Sequence, residues 1–405
     1  MSRDRLSPDA FDALCASHRD GFSLPQAFYG DPRVHALDLE RLWRRRWLFA
    51  GHASRIAQPG DYTLFKLGDD ELILTRNAQG EARALFNTCT HRGSALCLEP
   101  CGHAAKFVCP YHQWVFDADG ELRSARNMPD DFDKASFGLR RAHIRELESL
   151  LFVCFAEEPP DFEPFANAMR PHLKLHGLPR AKVAATRAYE LRANWKLMAE
   201  NFFECNHCPT GHPEYCKAMA GITPPPRVED REAERAHVET QRAWVARRGL
   251  AQQLSFEAGG WFHLNHMPLR PGFVTQSLDG KPVAPLMGEH TAYEAPAFAI
   301  VAYPNFWFEA GPDVAVTLRT LPRGPQELSV EAEWLVHADA VEGRDYDLER
   351  VMGLWKATGE QDWALIENNQ RGVNSSRYRP GPYSPASEGG CRRFVAWYLD
   401  QLRKA

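Results

Sequence analysis

The chain has 405 residues, 44% apolar and 25% charged, with a formal net charge of −5. That length supports two domains with cores of their own, and the charge balance excludes a basic surface for nucleic acid or an anionic membrane. There is no run of apolar residues long enough to span a membrane. The opening Met1-Ser2-Arg3-Asp4-Arg5 lacks the apolar stretch of a signal peptide. These features predict a cytoplasmic protein whose ten cysteines stay reduced.

In chain order, residues 1–45 read as helical, with helical spacing from Asp38 to Trp43. From Trp47 to about Phe155 the pattern turns to β, with strands over 71–75 and 82–86 about the turn Asn77-Ala78-Gln79-Gly80. This stretch holds Cys89-Thr90-His91-Arg92-Gly93 and, after a spacer, Cys109-Pro110-Tyr111-His112. Two thiolates and two imidazoles spaced as Cys-x-His and Cys-x-x-His suit a [2Fe-2S] cluster in which two His replace two Cys on one iron. Gly93 follows the first pair, where a loop must pass close to the cluster. Phe107 and Val108 lead into the second pair, Trp114 to Phe116 lead out, and Asp119-Gly120 reads as a hairpin turn. Zinc fingers keep like ligands together, C-x2-4-C with H-x3-5-H, so the mixed pairs argue against zinc. Cys97 and Cys101 read as two packed thiols, and Cys15, Cys154 and Cys391 as small apolar fillers.

Residues 150–155 read as the last strand of this domain, and Pro159-Pro160 as a boundary. The expected division is a helical segment 1–45 packing on the last domain, a cluster domain 46–160, and a mixed α/β domain 161–405. In the last, 297–303 and 314–321 read as strands, 346–371 as a long helix ended by Gly372, and the Glu/Arg-rich 228–248 as a solvated helix or a mobile lid. There is no G-x-G-x-x-G after a strand, no P-loop and no plant-type ferredoxin spacing, so electrons must come from a separate protein.

The stretch from Asn194 to Pro213 carries a second candidate centre. Asn201, Glu204 and His207 fall at i, i+3 and i+6, roughly one helix face, and Pro209 and Gly211 then break the helix so that His212 turns back. An iron that activates O2 needs two imidazoles and one carboxylate on one side, leaving positions open. Asp362 is the expected carboxylate. It shares a helical stripe with Val351, Trp355, Thr358, Ile366 and Asn369, where an unpaired acid is costly. Glu360 and Glu367 fall off that stripe and read as solvated. A zinc site of Cys205, Cys208, Cys216 and His207 is the rival, weakened by the lack of a second C-x-x-C.

The two Cys-His pairs resemble a Rieske domain, and nearly the whole chain resembles the α subunit of Rieske non-haem iron oxygenases. The resemblance rests on Glu200, Asn201, Glu204, His207 and His212, which match E-N-x-x-(D/E)-x-x-H-x4-H, and on Asp362, Glu367, Gln370 and Gly372. It implies an α+β protein: an all-β Rieske domain plus a helix-grip catalytic domain, an antiparallel sheet with helices. It also implies a [2Fe-2S] cluster on Cys89, His91, Cys109 and His112, and mononuclear Fe(II) on His207, His212 and Asp362. Glu204, with Asn201 beside it, would bridge the cluster of one subunit and the iron of the next, which implies a homotrimer. The further partners implied are a separate NAD(P)H-dependent flavin or ferredoxin-type reductase and a small-molecule substrate. Two departures stand out: Gln113, where many Rieske loops have Gly, and Gln361, where an acid usually precedes the Asp.

Gln113 and Glu204 resemble the group acting on glycine betaine, carnitine and stachydrine. The aromatic runs 260–265 and 304–308 offer faces to a quaternary ammonium head, and Pro268 to Phe273 with Asp279-Gly280 resembles a loop of the betaine-type enzymes. For each aromatic, core packing is the alternative. The expected reaction is hydroxylation of a C–H bond, which on an N-methyl group leads to demethylation. The alternatives are a ring-hydroxylating oxygenase acting on an aromatic acid, and a Rieske electron carrier without oxygenase chemistry.

Overall fold

A computed structural model describes residues 6–254 and 260–404, so the reading of Met1 to Arg5 lies outside the described residues. The chain divides into two compact units, Arg44–Phe162 and the combination of Met1–Trp43 with Glu163–Ala405.

The smaller unit is built of strands: β1 (Leu48–His52), β2 (Asp61–Leu67), β3 (Asp70–Arg76), β4 (Ala82–Phe86), β5 (Cys101–His103), β6 (Phe107–Val108), β7 (Val115–Phe116), β8 (Leu122–Ser124), β9 (Arg141–Leu147) and β10 (Leu150–Cys154). Seven form one sheet in the order β1-β10-β9-β4-β3-β2-β5, and β6-β7-β8 form a separate three-stranded sheet. Leu72, Ile73 and Leu74 in succession are fully buried on β3, as expected of a strand covered on both faces. The turn before β4 is held by the Asn77 side chain, whose Oδ1 accepts the Gln79 and Glu81 amides at 3.1 and 2.9 Å. Cys97 is packed in this core, whereas Cys101 is exposed on β5, so only one of the two expected packed thiols is buried.

The larger unit holds β11 (Ala181–Leu191), β12 (Gln253–Leu254), β13 (Phe262–Met267), β14 (Ala297–Ala302), β15 (Phe306–Ala310), β16 (Ala315–Gly324) and β17 (Glu327–His337). They form one antiparallel sheet in the order β11-β17-β16-β15-β14-β13-β12. The long helix is Leu348–Val373, packed against the sheet through Leu354, which joins Ala297 in one apolar cluster, and Trp363, which meets Tyr189. It runs past Gly372 to an Asn374 cap, because Gly372 keeps helical φ and does not adopt the left-handed conformation that ends a helix. Val228–Ala246 is a helix resting on the buried stripe Glu234, Gln241, Trp244 and Val245. The N-terminal segment is helical but broken into Pro8–Ala16, Ala27–Gly30 and Pro32–Leu37, then a π-turn at Asp38–Leu42 and a 3-10 turn at Trp43–Arg45. The π-turn begins at Asp38, a fully buried acid that Lys196, Trp195 and Tyr398 grip at 2.5, 3.0 and 2.7 Å.

Candidate metal centres

In the smaller unit the two Cys-His pairs are loop tips. The first loop closes with the Gly93 amide on the Cys89 carbonyl at 2.8 Å, and the second with the Gln113 amide on the Cys109 carbonyl at 2.9 Å. Both closing residues have left-handed backbones, Gly93 at φ 81° and Gln113 at φ 61°. That supplies the conformational reason for glycine at such positions, and Gln113 tolerates the same turn at a cost of about 1–2 kcal/mol. A Cβ on Gly93 would meet no protein atom within 4 Å, so the backbone angle rather than crowding by protein requires glycine there.

The Cys89 and Cys109 thiols are buried and in contact, and the His91 and His112 rings lie 4.7 Å apart between centroids. His91 stacks on Trp114 at 4.6 Å, which fixes its plane. Burial pushes the Cys89 thiol up. On Cys109 burial is outweighed by the His112 and Tyr111 amides, which hold the thiol below its usual range. Two sulfurs ringed by amide N–H groups, with two imidazoles beside each other, fit a cluster whose potential depends on hydrogen bonds to sulfur.

In the larger unit the helix Trp195–Phe202 starts on an Asn194 cap, whose Oδ1 accepts the Lys196 amide at 3.0 Å. It ends before Glu204, so Asn201, Glu204 and His207 do not share one helix face. Pro209 does not break a helix. It sits in the first turn of the short helix Cys208–Gly211, where a missing N–H costs nothing. The expectation of reduced cysteines fails at Cys205 and Cys208, which form a disulfide. The turn into that helix brings their Cα atoms to 5.1 Å, inside disulfide range. Two of the rival zinc ligands are thereby bonded to each other.

His207, His212 and Asp362 converge. His212 Nε2 lies 2.9 Å from Asp362 Oδ1, the two Nε2 atoms lie 3.1 Å apart, and His207 Nε2 is 3.3 Å from the same oxygen. Three donors on one face of an octahedron about an ion at about 2.1 Å would stand about 3.0 Å apart. The outer nitrogens settle the tautomers. His207 Nδ1–H donates to Glu204 Oε1, and His212 Nδ1–H donates to Gln361 Oε1 at 2.9 Å. The Gln361 amide is oriented by its own donation to Glu214 at 3.1 Å. Both Nε2 lone pairs therefore aim with a carboxylate oxygen at one point, an arrangement that calls for a cation.

A cavity of about 370 Å³ opens on these three side chains. One wall is the long helix, with Trp355, Thr358 and Asp362. The opposite wall is one face of the sheet, where register aligns Asn265, Ala299 and Glu309 in one row and His263, Val301 and Trp307 in the next. From the two aromatic runs only Trp307, His263 and Asn265 reach the cavity. Trp261 packs on Phe165 at 4.8 Å, and Phe306 and Phe308 are buried without lining it. The loop of Pro268 to Phe273 does not line it either. Glu309 and Arg393 escaped the sequence reading. An acid two residues after Trp307 inside an apolar strand was the available signal for Glu309. Asn201, Glu204 and His207 also line a second cavity of about 400 Å³ with Glu200, Tyr378 and Tyr383. Asn201 Oδ1 is buried without a hydrogen-bond partner among the described residues. Glu367, expected to be solvated, accepts the Arg192 amide at 2.8 Å, whereas Glu360 is exposed.

The family model for the ring hydroxylating alpha subunit (catalytic domain) matches residues 178–404, and that for the Rieske [2Fe-2S] domain matches 46–141. The glycine betaine monooxygenase oxygenase subunit of Chromohalobacter salexigens is 38% identical over 98% of this chain and 92% of its own. The subunit of the same name from Pseudomonas aeruginosa is 36% identical over 96% and 91%. The solved structure of the quaternary ammonium Rieske monooxygenase CntA with L-carnitine has the same fold, with a TM-score of 0.70, 22% identity, and coverage of 97% of this chain and 99% of that one. The α+β architecture and the two domain matches agree with the resemblance drawn from the motifs. The chain belongs to the Rieske non-haem iron oxygenases, as an α-type oxygenase subunit with a Rieske [2Fe-2S] cluster and a mononuclear iron.

Proposed function

We propose that this subunit hydroxylates an N-methyl group of a quaternary ammonium compound, with glycine betaine the leading substrate. The observation that carries the reading is the cavity on the three-donor face, walled by Trp307, Trp355, Tyr215, Phe202 and Phe203. Aromatic faces attract a cation that cannot donate hydrogen bonds. The names of the two relatives point the same way. Arg393 is the one Lys or Arg among the described residues lining the cavity, and offers a partner to the carboxylate of a betaine.

Cys89, His91, Cys109 and His112 hold the cluster in this reading, and His207, His212 and Asp362 hold the iron. Iron bound there, fed with electrons, supplies O2 activation for insertion into a C–H bond. The chain's own residues do the rest. Glu204 and Gln361 fix the two imidazole planes, Asp362 supplies the anionic ligand, and the aromatic walls exclude water and hold the substrate. One oxygen atom enters the methyl group and the other leaves as water. Two electrons come from the methyl C–H and two from a separate NAD(P)H-dependent reductase. The hydroxymethyl product then releases formaldehyde and the demethylated amine.

Glu204 and His207 are reachable from the second cavity as well as from the substrate side. We assign that approach to the cluster of a neighbouring subunit, which requires a closed ring, a homotrimer in the simplest case, working in the cytoplasm where NAD(P)H feeds the reductase. The test is O2 uptake and formaldehyde release with a partner reductase, over a panel of betaines and aromatic acids. Formaldehyde in step with O2 for a betaine is expected. O2 uptake coupled only to an aromatic acid would favour the ring-hydroxylating alternative and overturn this reading.

A further inference from the structure

Glu309 is fully buried on β15 and faces the substrate cavity. Gln276 Nε2 donates to it at 2.6 Å and Trp307 Nε1 at 3.4 Å, both neutral groups. Among the described residues no Lys, Arg or His pairs with it. A carboxylate taken from water without a counter-charge is costly. Burial pushes this one up to about 8, so it keeps its proton near neutral pH until a cation seated beside it favours the charged form. Its immediate neighbours on the cavity wall include the apolar Ala299, Val301 and Leu318, and packing alone gives no reason to keep an acid among them.

Its position gives it a use. Period-two alternation puts Trp307 and Glu309 on the same face of one strand, so an aromatic face and a carboxylate flank one spot. Glu309, Trp307 and Tyr215 line the same cavity as His207, His212 and Asp362, which sets that spot in one chamber with the three-donor face. Ala299 lies beside Glu309 in register and leaves room above the sheet, with Asn265 one strand further, roughly 10 Å from Glu309.

We propose that Glu309 is the counter-charge that selects a quaternary ammonium head, seating it against Trp307 with one methyl turned to the His207–His212–Asp362 face. This deepens the assignment of a quaternary ammonium substrate and rests on it. A quaternary nitrogen has no N–H, so recognition must come from charge and aromatic surface. An uncharged ligand of the same shape would fill the same space and leave Glu309 unpaired.

The experiment compares glycine betaine with 3,3-dimethylbutanoate, in which carbon replaces the charged nitrogen. Dissociation constants are measured on the iron- and cluster-loaded protein, for the native chain, Glu309→Gln and Glu309→Asp. The native protein should bind betaine at least tenfold more tightly than the isostere. Glu309→Gln should weaken betaine tenfold to a hundredfold and leave the isostere within threefold, and Glu309→Asp should recover part of the loss. Equal weakening of both ligands would mean a structural role and overturn the proposal. Preference for betaine retained in Glu309→Gln would overturn it too. A native protein with no preference for betaine would instead overturn the quaternary ammonium reading on which it rests.

Discussion

His212 shows how single side chains tune the candidate iron site. Its Nε2 faces Asp362 while its Nδ1–H is held by Gln361, an amide anchored on Glu214. Replacing Gln361 by Leu removes that acceptor and should weaken iron binding about 10–100-fold, read as iron retained after dialysis against a chelator, while Gln361→Glu retains it. Glu204 answers to a different readout. Glu204→Gln should leave the cluster reducible and the iron loaded, yet slow product formation in a single turnover, since it keeps the shape but loses the charge that orients His207. The ligand residues were legible because their types and spacing are dictated by the ions they suit. Gln361 and Gln113 were legible only as departures. What each does depends on partners such as Glu214, or on a backbone angle, that no local pattern encodes.

At the scale of elements, strands 71–75 and 82–86 were legible from their short apolar runs and the turn chemistry between them. The segment around Glu204 was not. A periodicity of three continued on paper past the true helix end, because the stop at Phe202 carries no Gly or Pro signal. The N-terminal segment is helical as read, but the passage from α-helix to π-turn at Asp38 was not legible, because Asp38 serves a partner in the helix Trp195–Phe202, far along the chain. Asp38 and Lys196 are both fully buried, and the pair is completed by Trp195 and Tyr398. Asp38→Ala would strand the ammonium and should cost about 3–5 kcal/mol in urea unfolding, whereas Asp38→Leu combined with Lys196→Met should recover much of the loss. Equal losses for the single and double variants would show that the pair is not what ties these two elements together.

At the scale of the whole molecule, no helix among the described residues is long and apolar enough to cross a membrane, and stability is tied to pH through buried histidines. His172 and His266 bond at 2.9 Å, and His176 and His290 meet at 3.4 Å. Burial pushes His172, His263 and His290 down to about 4 and His266 to about 3, and His176 falls with them. A depressed folded-state pKa means that the unfolded chain takes protons first. Stability is thus full above about pH 6.5 and lost as pH falls toward 4, by about 1.4 kcal/mol per pH unit for each uncompensated group. Glu200, Glu309 and Asp313 are raised by burial and act in the opposite sense, but the five histidines outnumber them. The urea midpoint should therefore drop between pH 6.5 and 5, and a flat profile would contradict this. The central claim is two metal centres in one chain, and iron and acid-labile sulfide per chain, with EPR of the reduced protein, test it most directly. About three irons and two sulfides are expected, with a Rieske signal, falling to about two irons with the signal intact in Asp362→Ala. Two irons in the native protein, or three retained in Asp362→Ala, would contradict the assignment of His207, His212 and Asp362.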